Sequence, residues 1–234
     1  MITEGRVTVT GKRILKAAYK VEDDAEIVTE GEALRYVSRG GLKLEKAVDV
    51  FKISLDGCTC LDIGASTGGF TDCMLQNGAE KVFALDVGHD QLAEKLRNDP
   101  RVISMEQTNI RSVSKEDLGN AVIDFISVDV SFISLTKVLP EAYLLLKPGG
   151  HAVCLIKPQF EAGKAALSKK GIIKDDAVRK KVVKDICAFA EETGFIILGT
   201  VDSPIRGGDG NVEYLVYLEK AVQNEETIHD NLKS

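Results

Sequence analysis

From residue 58 onward the chain alternates short apolar runs with longer amphipathic ones, and this alternation restricts its possible folds more than any other feature. A strand that is apolar throughout has to be covered on both faces. The amphipathic segments between such strands supply the covering helices, so the pattern implies a parallel sheet with crossover connections. The spacing predicts strands near 58–63, 81–87, 101–105, 122–129, 150–157, 195–202 and 212–219, and helices near 68–78, 90–98, 131–146 and 174–193. Only SPIRGGDGN separates the last two strands. That is too short for a crossover helix, so they are expected to pair antiparallel and close one edge of the sheet.

With 234 residues, 44% hydrophobic and 28% charged, the chain fits one large α/β domain with a small appendage and is neither disordered nor fibrous. The beginning lacks the layout of a signal peptide, and no apolar run reaches the roughly 18 residues of a spanning helix, which implies a cytoplasmic protein with no membrane partner. Cys58, Cys60, Cys73, Cys154 and Cys187 are odd in number and form no CxxC pair, so they read as reduced core thiols, and no metal site is assigned. His89, His151 and His229 stand apart from one another. The net charge of −6 is unevenly spread. Residues 1–20 carry Arg6, Lys12, Arg13, Lys16 and Lys20 against Glu4, and residues 157–184 carry nine cations against Glu161, Asp175 and Asp176. Such clusters suit a nucleic-acid backbone, although a solvated helix face is the plainer explanation of either one alone.

The first strand runs into LDIGASTGGF, residues 61–70. A strand-to-helix turn built from Gly64, Ala65, Ser66, Gly68 and Gly69 lets the backbone approach a nucleotide-like ligand at a helix N-terminus. Asp86 ends the next strand, where a carboxylate can accept both hydroxyls of a ribose, and Asp62 stands where it could meet the amino group of a methionine moiety. Asn109 follows the third strand as a candidate for an adenine edge. The spacing G-x-x-x-G-G and the terminal hairpin favour S-adenosylmethionine over a nicotinamide dinucleotide. Seven strands with that hairpin form the Rossmann-like class I methyltransferase arrangement. Asp129 and Lys157 close two inner strands and Glu213 opens the last, so all three converge beside the reactive end of such a cofactor. Lys157 ends the apolar run AVCLI and is fixed by Pro158; the alternative to a catalytic role is a lysine that snorkels from a strand end to pair with Glu213. After Asp129, Val130-Ser131-Phe132 is read as lacking the proline pair and gripping ring of an enzyme that methylates the amino group of adenine.

Five stretches in order, YVSRGGLKL (36–44), DIGASTGGF (62–70), DVSFISL (129–135), IKPQFE (156–161) and SPIRGGDGNVEYL (203–215), closely resemble the TlyA family of hemolysin-A-like ribosomal RNA 2′-O-methyltransferases, which share a catalytic plan with FtsJ-type enzymes. The resemblance implies S-adenosylmethionine as cofactor, a cytidine ribose of ribosomal RNA or of a ribosomal subunit as substrate, and a catalytic tetrad formed here by Lys43, Asp129, Lys157 and Glu213. In that plan Lys157 accepts or orients the proton of the ribose hydroxyl, Asp129 holds Lys157, and Lys43 and Glu213 complete the network. Arg39, Lys169 and Lys170 are the residues expected on RNA phosphates. No obligate protein partner is suggested, and a pore-forming activity would need a membrane segment the sequence does not offer.

Residues 1–30, with the hairpin GRVTVTGKRI, resemble the second half of the alpha-L RNA-binding domain that precedes the catalytic domain in this family. The helices expected before that hairpin are absent from the sequence, a departure from the family pattern that is expected to reflect either truncation or a late start. The expected organisation is a partial RNA-binding domain at 1–30, a linker and first catalytic helix at 31–57, the methyltransferase domain at 58–220 and a frayed tail at 221–234.

Overall fold

The computed structural model describes residues 2, 7–16, 18–29, 35–207 and 210–222, and the chain divides into two compact units, Met1–Arg35 and Tyr36–Ser234. The unit boundary falls five residues beyond the expected one. The junction at 30–34, most of the expected tail and Arg6 lie outside the described residues.

The first unit holds three short strands, β1 (Val7–Val9), β2 (Lys12–Ile14) and β3 (Ile27–Thr29), paired antiparallel in the order β2-β1-β3. Thr10 and Gly11 connect β1 to β2 with φ of 47° and 77°, the two-residue turn whose twist matches a hairpin. Val7 faces Ile14 across the pair, and both are buried.

The second unit begins with α1 (Gly40–Phe51) and then alternates as expected: β4 (Thr59–Ile63), α2 (Gly69–Gln76), β5 (Lys81–Leu85), α3 (Glu94–Arg97), β6 (Val102–Met105), β7 (Ile123–Val128), α4 (Leu139–Leu145), β8 (Leu146–Ile156), α5 (Pro158–Glu161), α6 (Asp176–Thr193), β9 (Phe195–Asp202) and β10 (Tyr214–Lys220). The seven strands from β4 to β10 form one sheet in the order β6-β5-β4-β7-β8-β10-β9. Strands β4 to β8 pair in parallel, whereas β10 runs antiparallel to both neighbours. The expected terminal hairpin is present, with one refinement: β10 inserts between β8 and β9, leaving β9 at the edge.

Strand parity divides the core. In β8, Ala152, Cys154 and Ile156 join the cluster covered by α4 and α6, while Val153 and Leu155 join the one covered by α1 and α2. Lys157 follows Ile156 in extended conformation. The same parity therefore carries its side chain toward the α1 face, where Lys43 is located. The helix expected at 131–146 is much shorter. Phe132 has φ of 63°, Ser134 accepts a hydrogen bond from the Thr136 amide at the start of a 3-10 turn, and α4 begins only at Leu139 with Pro140 in its first turn. A proline is tolerated there and nowhere deeper in a helix.

Asp62 joins three elements beneath the glycine turn. Thr71 Oγ1 of α2 donates to its Oδ2 at 2.6 Å, and Ser127 Oγ of β7 donates to its Oδ1 at 2.9 Å. The carboxylate is fully enclosed, and burial raises its pKa to about 6 against the pull of those two hydroxyls. The folded value lies above the ordinary 3.8, so the folded state holds the proton more tightly, and Asp62 costs stability progressively as pH rises from about 4 through 6. In Asp62→Asn the amide can still serve both hydroxyls without a charge. Its stability relative to wild type is expected to increase by about 2 kcal/mol between pH 4 and pH 7, measured by urea unfolding at both values. A difference independent of pH would contradict this account.

Candidate active site

The four carboxylates and amines that matter arrive on separate elements: Lys43 from α1, Asp129 one residue past β7, Lys157 one residue past β8 and Glu213 one residue before β10. They form a row of alternating charge. Glu213 Oε2 lies 2.7 Å from Lys43 Nζ, which lies 3.8 Å from Asp129 Oδ2. Asp129 Oδ1 in turn lies 2.5 Å from Lys157 Nζ. Lys157 Nζ also donates to Ser131 Oγ at 2.9 Å and stands 5.9 Å from the centre of the Phe160 ring. Lys43, Lys157 and Glu213 are buried, and the Asp129 side chain keeps 19% of its surface. Gln159 Nε2 approaches the other Glu213 oxygen at 3.5 Å.

Beside this row opens a cavity of about 330 Å³, lined by Lys43, Asp129 and Lys157 and also by Gly64, Ala65, Ser66 and Gly69 of the glycine turn. Gly64 has φ of 87°, and a Cβ there would come within 2.5 Å of the Asp129 carbonyl oxygen. Only glycine lets the turn close this tightly on the end of β7. Helix α2 starts at Gly69 with no side-chain cap, which leaves backbone donors at the cavity wall suited to a carboxylate. Arg39 and Arg206 are exposed on the rim, and neither has a carboxylate partner among the described residues.

Other expected ligands stand behind the wall. Asp86 accepts backbone N–H groups from Ser66 at 2.8 Å and Gly88 at 2.7 Å, and so holds the glycine turn from the side of β5. Gly68 packs against Leu92 and Leu96. Asn109 is exposed and accepts from the Arg111 amide. Asp62 differs most from expectation: both its oxygens are engaged by Thr71 and Ser127, and it lies under the turn instead of lining the cavity. His89 groups with Asp90 and Glu106, but the Glu106 carboxylate is already engaged by the amides of Asp90, Gln91 and Leu92.

Lys169 and Lys170 are exposed on a turn closed by the Ser168 amide and the Ile172 carbonyl. Part of the positive charge of the 157–184 segment is paired locally. Arg179 and Lys180 pair with Asp176, and Lys181 pairs with Asp185, just beyond the counted window. The sequence reading also missed Phe132. It is 91% exposed, and its ring centre lies 4.9 Å from that of Phe160 beside Lys157. The proline pair is absent, but the ring after Asp129 is present. The aromatic at the fourth position of DVSF was the available signal.

Residues 36–220 match the family of FtsJ-like methyltransferases. The chain is 46% identical to hemolysin A of Brachyspira hyodysenteriae over 93% of its own length and 90% of that protein. It is 42% identical to the 16S/23S rRNA (cytidine-2′-O)-methyltransferase TlyA of Mycobacterium tuberculosis, over 93% of the chain and 81% of that enzyme. A solved structure from Streptococcus thermophilus, described as a candidate hemolysin, superposes with a TM-score of 0.83 at 46% identity, covering 99% of this chain and 89% of that one. Among the described residues no helix is long and apolar enough to cross a membrane. With the tetrad seated under a glycine-lined cavity and these identities along nearly its whole length, the chain belongs to the FtsJ-like methyltransferase family, among the relatives named TlyA and hemolysin A.

Proposed function

We propose that the protein transfers the methyl group of S-adenosylmethionine to the 2′-hydroxyl of a cytidine in ribosomal RNA. The observation that carries this reading is the row Glu213–Lys43–Asp129–Lys157, three members of which line the same cavity as the glycine turn. The residues suit the cofactor: the turn and the uncapped start of α2 offer backbone donors to a carboxylate, and Asp86 holds the turn in place. When bound, the cofactor supplies a methyl group on a positively charged sulfur.

The chain's own contribution is positional and electrostatic. The new oxygen–carbon bond forms as the sulfur–carbon bond breaks, and the ribose oxygen loses its proton. Asp129 keeps part of its surface open to the cavity while its other contacts fix Lys157, so the Lys157–Asp129 pair both orients the hydroxyl and takes the departing proton as one unit. Lys43 and Glu213 compensate that pair from behind and keep it from reaching outward. Phe132 supplies an exposed face on which an extruded base can stack, which favours a nucleoside substrate over a free small alcohol. Arg39 and Arg206 on the rim, with Lys169 and Lys170 on their exposed turn, are cations available for RNA phosphates, whereas Lys180 and Lys181 of α6 are engaged by carboxylates of that helix.

Tritiated methyl transfer to purified ribosomal subunits, followed by mapping of the modified ribose, tests the reading directly; label on a base nitrogen or carbon would refute it. Lys157→Ala is expected to abolish transfer while cofactor affinity in calorimetry stays within a few-fold of wild type. Lys157→Arg is expected to be nearly as inactive, because a planar guanidinium does not fit the compact contact that Lys157 makes with Asp129 and Ser131. Turnover of the arginine variant close to wild type would leave Lys157 a structural residue. For RNA docking, reversing both Lys169 and Lys170 to glutamate should weaken subunit binding and reduce the slope of log affinity against log salt by about 1 to 2. An unchanged slope would move the docking face elsewhere.

A further inference from the structure

Phe132 adopts a conformation that costs a bulky residue energy, with φ of 63° and nine-tenths of its surface in solvent. Such a residue persists only where its surroundings hold it there. Those surroundings are the segment that follows Lys157. At one end of the 129–135 loop, Lys157 Nζ binds Asp129 at 2.5 Å and donates to Ser131 Oγ at 2.9 Å. In the middle, the Phe132 ring rests on Phe160. At the far end, Glu161 closes the connection: its Oε2 accepts from Ser134 Oγ at 2.6 Å, and its Oε1 accepts from the Leu135 amide at 2.8 Å. Burial pushes the Glu161 carboxyl up, with the Leu135 and Ser134 bonds opposing. The group is thus held partly out of water for the sake of these two contacts.

We infer that Glu161 is a positioning residue for methyl transfer: by tying α5 to the Ser134–Leu135 turn, it fixes Phe132 and Asp129 in register with Lys157 over the cavity. This rests on the reading of Phe132 as the platform for the target base. Glu161 is not among the residues that line the cavity. It acts through the loop. Without it, the loop keeps its Lys157 end, the contact between the two rings and the packing of Val130, Ile133 and Leu135 on the core, but loses the polar tie between its far end and α5. Phe132 can then relax toward an ordinary conformation, which withdraws the platform.

The test is a double-mutant cycle on tritiated methyl transfer to purified ribosomal subunits, with cofactor affinity and melting temperature measured on every variant. Glu161→Ala is expected to lower turnover about tenfold or more in the wild-type background and less than about twofold in the Phe132→Ala background, with cofactor affinity unchanged within twofold. Glu161→Gln should recover most of the activity, since its amide oxygen still accepts from Leu135 and its amide nitrogen can donate to Ser134 Oγ. If Glu161→Ala fails to fold, Ser134→Ala, which removes one of the two bonds, is put through the same cycle and should show the same dependence on Phe132. Equal losses in both backgrounds, full turnover without the carboxylate, or a loss that follows cofactor affinity would each overturn the inference. If Phe132→Ala alone retains wild-type turnover, the base-platform reading fails and the inference falls with it. Should Phe132→Ala be impaired while the Glu161 loss is additive, the platform stands and only the role of Glu161 is lost.

Discussion

Two ammonium groups are held below the surface because two carboxylates from other elements reach them there. Charges withdrawn from water are costly, and a pair left incomplete is costlier still, so the Lys43–Glu213 and Lys157–Asp129 contacts require their backbones to be fixed in advance. The sheet provides this. Parallel β7 and β8 end side by side, antiparallel β10 begins beside them, and α1 packs across the same face. The four side chains meet where three strand termini and one helix coincide. The row also explains why Lys157 can end a strand whose preceding residues are wholly apolar: its charge is compensated before it reaches solvent.

Much of this was legible in the sequence, for identifiable reasons. The alternation of apolar and amphipathic segments reports how each strand is covered, so the order of elements and the antiparallel last pair could be read directly. Asp129, Lys157 and Glu213 stand out because each sits at a strand boundary, where side-chain chemistry contrasts with an apolar run, whereas Lys43 is named only through the family resemblance. Asp62 was misplaced for the converse reason. Its position next to the glycine turn is the same whether the carboxylate points at a ligand or at Thr71 and Ser127, and only the packing of α2 on β4 and β7 decides.

The loop after Asp129 was the least legible part. Helical spacing over 131–146 conceals a left-handed residue, a 3-10 turn and a helix that begins at Leu139, because the forces fixing that loop come from Lys157, Phe160 and Glu161, more than twenty residues away. The basic segment was over-read in a similar way. A linear count cannot show that Lys180 and Lys181 each pair with a carboxylate one turn away on the same helix.

The insertion of β10 between β8 and β9 affects the order in which the molecule can be completed. Lys43 and Glu213 are 170 positions apart, and the strand that carries Glu213 into place is the last of the described sheet. During synthesis, a chain that has emerged as far as β9 can form the glycine turn, the Lys157–Asp129 pair and most of both core clusters. The space beside β8 nevertheless stays open, with its edge groups unpaired, and Lys43 lacks the close Glu213 carboxylate, keeping only Asp129 at 3.8 Å. The late non-local pairing of β10 is slow relative to local contacts, and it closes the sheet and the charged row in one event. A nascent or truncated chain therefore contains a nearly complete glycine turn and still lacks the charge balance of the finished row.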